Sequence, residues 1–454
     1  MDLTSYTTIV LGVMVVVYAG AKFLRLSTEL SMFIAALAGS LAGGFGLPAR
    51  HIAEGAMTYL DINLIFVTAT LFMNILKESG GVAFVVRGMF KRFHRQRVIL
   101  LILLTILLLI PGALTGAGSV TVLITGGMVA TVLMSMGISK VKTAAIVFIV
   151  AGLSAAAPPV SLWAMMTAAG VNMPYVGFFW PLLVPCLVAG LLTVFILGWK
   201  GESTDIERAL ADLPVPPARM NWFRVLLPFA VFLALVILGR TWPHSTPVLG
   251  LPLMFLCAAL TSYLLSPQKI KLFQISRDTV EQLLPLIATL TCVGVLVQIM
   301  TLTGVRGLLA VTVVTPPVII MAFMTISPYG TLLPVMIVMP PVAAVYASLF
   351  LVLPLSEAVL MWGAAPVIGV PLVLLFNTIG LDPIVALAGM SVIWPLGDGL
   401  PPTAIIGRLT VSVTGYQDSY ARFLKACIIP AVIIIVLGTL MVIYSKDLSF
   451  LTGL

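Results

Sequence analysis

Charge is what this chain has least of. Only 9% of its 454 residues are Asp, Glu, Lys or Arg, and residues 98–139 and 307–356 carry none. A soluble domain needs a charged surface. With 61% hydrophobic residues and a mean hydropathy of +1.18, the chain reads instead as a polytopic helical membrane protein. The apolar blocks are long and unbroken, which excludes the short alternating segments of a β-barrel.

Histidine and cysteine are almost as scarce. His51, His94 and His244 fall in separate loops, and Cys186, Cys257, Cys292 and Cys427 are scattered through apolar segments with no CxxC pair. The cysteines read as packing residues, and no zinc or redox centre is expected. HExxH, GxSxG and GxxxxGK[ST] are all absent, so the chain reads as no enzyme and hydrolyses no ATP through a P-loop. The opening MDLTSY has neither a basic n-region nor a small-residue cleavage site, so it reads as the start of a first span. The net charge of +8 is the Lys and Arg excess of cytoplasmic loops rather than a nucleic-acid footprint.

A span needs about 20 apolar residues. Plain spans are expected near 6–24, 30–47, 59–76, 175–199, 223–240, 247–265, 281–302 and 423–444. Two more segments, 143–170 and 383–415, are interrupted by proline pairs. Pro158-Pro159 starts 21 residues after Gly137, and Pro401-Pro402 starts 21 residues after Gly380. A helix that breaks inside the bilayer frees backbone groups that must line a protein-enclosed cavity. Paired breaks in two halves mark a secondary transporter with its site at the midplane.

The uncharged block 98–139 reads as a re-entrant hairpin with its tip at Gly116-Ala117-Gly118-Ser119, two ordinary spans being the alternative for this block and for 307–356. A matching hairpin is expected over 307–356, with its tip near 353–357. The fold class is then all-α, with two inverted repeats of the elevator type. Residues 1–199 form the first repeat, 200–222 a cytoplasmic linker rich in charge and proline, and 223–454 the second. With the N-terminus outside, all basic residues but Arg50, Arg240, Arg306, Arg408 and Lys446 fall on the inner side. Further loose matches join the halves. Ala69-Thr70-Leu71 and Ser79-Gly80 are echoed by Ala288-Thr289-Leu290 and Thr303-Gly304. Thr303 to Ser356 is 13 residues longer than Ser79 to Ser119.

Two candidate sites follow. The first joins Thr115, Gly116, Gly118 and Ser119 at the hairpin tip to Ala157, Pro158, Pro159 and Ser161 at the first break. Free carbonyls and hydroxyls there are hard oxygen donors suited to Na⁺, and half-helix N-termini offer positive ends to an anion. The second joins Ser356 and Glu357 to Asp398, Pro401, Pro402 and Thr403. Asp398 is a carboxylate at membrane depth, able to ligate Na⁺ or carry a coupling proton. Ser119, Pro159, Ser356, Glu357, Pro402 and Arg408 are the candidate substrate contacts. Arg408 can clamp a carboxylate, pair with Asp398 or snorkel to the membrane edge.

Three stretches, GALTGAGSVTVL (112–123), SAAAPPVS (154–161) and GLDPIVALAGMSVIWPLGDGLPPTA (380–404), resemble the large membrane subunit of tripartite ATP-independent periplasmic (TRAP) transporters. The resemblance implies an elevator-type carrier in the bacterial inner membrane, coupled to Na⁺ and moving organic anions such as dicarboxylates or sialic acid. It also implies a small four-helix membrane subunit and a periplasmic binding protein as partners. By position, Ser119, Pro158 and Ser161 would fall in one Na⁺ site, and Asp398, Pro401 and Thr403 in the other. The first tip is sparser in small residues than the family's, Ser356-Glu357 stands where an aspartate is usual, and the second half is longer. A stand-alone Na⁺- or H⁺-driven symporter or exchanger is the nearest alternative. An intramembrane enzyme or scaffold is the other class, and no nucleophile–base pair or metal cluster is visible for it.

Overall fold

The structure is a computed structural model that describes residues 3–200, 210–242, 249–314 and 352–453. Helices and turns make up the whole of it, with no strand among the described residues. The first half holds α1 (Leu3–Phe23), α2 (Thr28–Ala42), α3 (Ala49–Met57), α4 (Leu60–Glu78), α5 (Gly81–Phe93), α6 (Arg97–Thr115), α7 (Gly118–Ser135), α8 (Lys140–Ala156), α9 (Leu162–Gly170) and α10 (Phe179–Gly198). The second half holds α11 (Trp222–Thr241), α12 (Leu251–Leu264), α13 (Leu272–Leu302), α14 (Val305–Val314), α15 (Val352–Gly363), α16 (Ala365–Thr378), α17 (Pro383–Gly399), α18 (Ile405–Val413) and α19 (Tyr420–Ile443). Among the described residues, eight helices are long and apolar enough to cross a membrane, or nine counting the bent α15–α16 pair.

Local chemistry sets most boundaries. Asp382 caps α17 by accepting the Ile384 and Val385 amides at 2.9 Å each, and Pro383 takes the first helical position, where no amide is needed. α2 stops at Ala42, short of the expected 47, because Gly44 and Gly46 adopt positive φ. α13 begins nine residues before the span expected at 281, so its first turns project beyond an ordinary crossing. The short helices α3 and α5 carry polar faces that a search for long apolar runs passes over. In the linker, the described residues are tied down. Arg87 on α5 donates to the carbonyls of Leu210 and Leu213 at 2.7 Å each.

The second turn needs a correction. Residues 353–357 are helical, and 315–351 of the expected hairpin lie outside the described residues. The reversal comes at Met361–Ala364, where α15 and α16 meet at a bend of 119° and Met361 takes φ 53. Pro354 is tolerated in the opening turn of the described part of α15, and the small residues Gly363 and Ala364 make the bend. Gly363 faces the scaffold closely, since a Cβ there would stand 2.8 Å from Val293 of α13 and 3.0 Å from Met32 of α2.

With this register, the two halves match without a gap. Gly118, Val122, Gly127, Lys140, Leu162 and Gly170 each open or close a helical element. The corresponding boundaries at Met361, Ala365, Val370, Pro383, Ile405 and Val413 lie 243 residues later. Each half even carries a π-turn at the same place, Val122–Gly126 in α7 and Ala365–Gly369 in α16. Contacts between the halves are reciprocal. A Cβ on Gly170 would stand 2.5 Å from Val370, and one on Gly127 would stand 3.3 Å from Val413. Gly152 and Pro395 are counterparts and meet each other, at 3.0 Å by the same measure. This is the exchange expected about a two-fold axis passing between them.

The helices pack in two groups. α2, α3 and α4 lie against α13, α4 also lies against α12, and α1 pairs with α2. The second group is centred on the buried helix α8, which packs on α6, α10 and α19, while α17 packs on α10 and α19. α4 against α6 and the 361–369 turn against α13 join the groups.

Gly389 and Gly438 let α17 and α19 touch backbone to backbone. A Cβ at Gly389 would stand 2.6 Å from the Gly438 carbonyl, which has no rotamer to move away. Gly389→Val is expected to destabilise the protein by about 1–3 kcal/mol. Gly12→Ala, with nothing within 4 Å and inside α1, is the control and is expected to hold or raise stability. Thermal unfolding in detergent reads both, and equal melting temperatures would contradict the packing described.

Candidate functional site

The first break follows from the amides that two prolines remove. Pro159 has no N–H for the Ala155 carbonyl. The Val160 amide donates instead to the Ala113 carbonyl on α6 at 3.0 Å, and the Ser161 amide donates to Tyr175 Oη at 3.3 Å. The carbonyls of Ala155, Ala156 and Ala157 thereby lose the donors that a continuous helix would give them. The turn at Gly116 thus lies against the break. Gly112 and Gly118 permit this approach. Thr121 and Ser154 join hydroxyls at 2.8 Å beside Gly112, and a Cβ on Gly118 would stand 2.6 Å from the Ala151 carbonyl.

Several first-site residues come together around this point. Pro158 and Gly116 are buried, Pro159 is half-buried, and the Ser161 Oγ is buried with no hydrogen-bond partner. Thr115 turns its hydroxyl back onto the Pro111 carbonyl at 2.7 Å. Ser119 is half-buried at the start of α7.

The second break mirrors the first in outline and differs in chemistry. Thr403 donates its hydroxyl to the Ala358 carbonyl at 3.0 Å, binding the break to α15, and Tyr420 donates to the Gly399 carbonyl at 2.7 Å. Pro401 and Pro402 are exposed, whereas Asp398 is 1% exposed and Glu357 is 0% exposed. Gly397 lets α15 sit directly against the break, because a Cβ there would stand 2.5 Å from the Cβ of Glu357. Glu357 is brought beside Asp398 and the Trp163 indole at the start of α9.

These two acids are unpaired. Neither acid has a basic partner among the described residues; the Trp163 indole N–H faces Glu357, and Oδ2 of Asp398 and the Trp394 indole N–H are buried without a hydrogen-bond partner. The salt bridges among the described residues are Arg50–Glu54 and Arg277–Glu281, both within single helices and both exposed. Two neighbouring buried carboxylates require compensating positive charge from a bound cation or from protons. Among the described residues no group of three or more His, Cys, Asp or Glu stands together.

Two sequence expectations change. Ser356 is not at the turn, and it donates its hydroxyl to the Leu353 carbonyl at 2.8 Å within α15. By the 243-residue register, Ser119 corresponds to Trp362, not to Ser356. Arg408 is exposed on α18 and forms no salt bridge with Asp398. Sequence reading missed Trp163, Trp394, Tyr175 and Tyr420. Their signal was present as aromatic residues flanking each proline break in otherwise aliphatic runs.

No family model and no curated protein matches the chain. Solved structures do. The YdaH transporter of Alcanivorax borkumensis, described as having an unusual topology, is similar over 87% of each chain, with 13% identity and a TM-score of 0.58. MtrF of Neisseria gonorrhoeae, described as illuminating a class of antimetabolite efflux pumps, is similar over 92% of this chain and 94% of its own. It has 12% identity and a TM-score of 0.58. The likeness is one of fold. The chain is a multi-pass membrane protein with the fold of membrane transporters.

Tyr175→Phe would leave the Ser161 amide without its acceptor at membrane depth. We expect a loss of about 1–3 kcal/mol, read as a lower melting temperature. Unchanged melting would mean that the Ser161 amide has another partner.

Proposed function

We propose that the chain is a secondary active carrier that couples a monovalent cation to movement of a small organic anion. Glu357 and Asp398 hold the coupling charge. The observation that carries this reading is the pair of adjacent, fully buried, unpaired carboxylates at a helix break inside a transporter fold. The reciprocal contacts between the halves support two repeats of opposite direction. Arg97 ties the end of α7 to the end of α10, through Met136 and Gly198. Arg306, at the start of α14, bonds Gly170 at the far end of α9, and α14 lies along α16. Repeats set this way bring both breaks to one level and let a carrier open to either side.

Na⁺ is the favoured ion, since both breaks present hard oxygen donors. These are the carbonyls of Ala155–Ala157 with Ser161 at one, and the two carboxylates at the other. The anion would meet the N-terminal ends of α9 and α18, with Pro159, Pro402, Ser119 and exposed Arg408 at the approaches. The motif resemblance to TRAP large subunits supports uptake across a bacterial inner membrane, delivered by a binding protein and a small four-helix subunit. Likeness to a protein described as an efflux pump supports export as the second reading.

Reconstitution in proteoliposomes tests this. Asp398→Asn and Glu357→Gln are each expected to lower gradient-driven flux of a carboxylate panel at least about ten-fold. Folding should be retained or improved, since each removes an uncompensated buried charge. Wild-type flux in both variants would sink the reading. Replacing Na⁺ by K⁺ is expected to stop flux, and flux that persists under a pH gradient alone would assign the charge to protons. Flux from the chain alone would remove the need for partner subunits.

A further inference from the structure

The two-fold relation makes differences between the halves informative. α9 lies against the π-turn of α16, and its counterpart α18 lies against the π-turn of α7. On the first side the fit is closed. Thr167 Oγ1 donates to the Ala365 carbonyl at 3.1 Å, and a Cβ on Gly369 would stand 2.8 Å from that hydroxyl oxygen. On the second side the matching bond is not made. Thr410, the counterpart of Thr167, is fully buried and its hydroxyl has no partner. The three nearest neighbours of a Cβ on Gly126, the counterpart of Gly369, do not include Thr410. The same asymmetry separates Gly170 against Val370, at 2.5 Å, from Gly127 against Val413, at 3.3 Å.

A π-turn supplies carbonyls displaced from the regular helical ladder, and such turns mark sites of rearrangement. A buried hydroxyl with no partner is a standing cost. The symmetry also names the acceptor that Thr410 lacks. Thr167 bonds Ala365, so Thr410 is matched to Val122, 243 residues before Ala365.

We infer that Thr167–Ala365 and Thr410–Val122 are alternating clasps, one closed in each of the two facing states. When the carrier reverses, Thr167 releases the second hairpin and Thr410 takes the Val122 carbonyl of the first. This rests on the carrier reading above, and it assigns a role to two threonines outside the acidic site. Removing one clasp biases the cycle toward the state held by the other.

The state is read at the second break, where Pro401 and Pro402 are exposed while Pro158 is buried. A cysteine introduced at Leu400 is reacted with a water-soluble maleimide and quantified on its own peptide by mass spectrometry. Thr167→Val is expected to lower labelling about five-fold, the equivalent of one neutral hydrogen bond, and Thr167→Ser to restore it. Thr410→Val is expected to hold or raise labelling, slow flux and leave the melting temperature unchanged or higher. Shifts in one direction for both valine variants, or no shift in either, overturn the clasps. In that case, wild-type labelling that still responds to the coupling cation leaves the carrier reading standing. Wild-type labelling that is a single population, indifferent to cation and anion, overturns both.

Discussion

Everything in this structure answers to one constraint. A backbone amide or carbonyl at bilayer depth must find its partner inside the protein. Two helices stop halfway at proline pairs; the amides set free at the first are taken up by neighbours, hydroxyls of neighbouring residues tie down the second, and the Ala155–Ala157 carbonyls keep no helical donor. Val160 turns to Ala113, Ser161 to Tyr175, Thr403 to Ala358, and Gly399 receives Tyr420. The hairpins are therefore closures for the breaks. Their glycines follow from the same need, because a backbone can reach another backbone only where no side chain intervenes.

The frame is duplicated, and the chemistry laid on it is not. Glu357 and Asp398 fall at positions whose first-half counterparts are Leu114 and Ala155. The first break therefore offers neutral oxygens and the second offers charge. Division of labour in this fold comes from a handful of substitutions on two equal backbones. In the proposed carrier it would leave one site for an ion held by charge and another for an ion or cargo group held by carbonyls and hydroxyls.

Much of the frame was legible in the residues, because its causes are local. Proline pairs at equal spacing, the Asp382-Pro383 helix start and the tip glycines each act within a few residues of themselves. The chain reversal at Gly116 and both helix breaks follow from residues of this kind. The second turn was misplaced because Pro354 and Ser356 look like turn residues, whereas the true reversal at Met361 uses a non-glycine residue held at positive φ by its surroundings. Glu357 and Asp398 were placed in one site from the residues, but the contact that brings them together was not legible. It depends on Gly397 admitting α15, a long-range contact that leaves no periodic mark. Trp163 is a similar case, an ordinary core residue until its neighbour across the site is known.

The unpaired acids carry an implication for energetics at the scale of the whole cell. Moving one elementary charge through the membrane potential costs or releases about 2.3 kcal/mol per 100 mV. In the proposed carrier, a moving part whose Glu357 and Asp398 lost their compensating cations or protons would be an anion on the return stroke, and its charge when loaded would be that of the bound cations and cargo together. Voltage would then act unequally on the two halves of the cycle, so that polarisation of the membrane, rather than concentration alone, sets the pace of turnover.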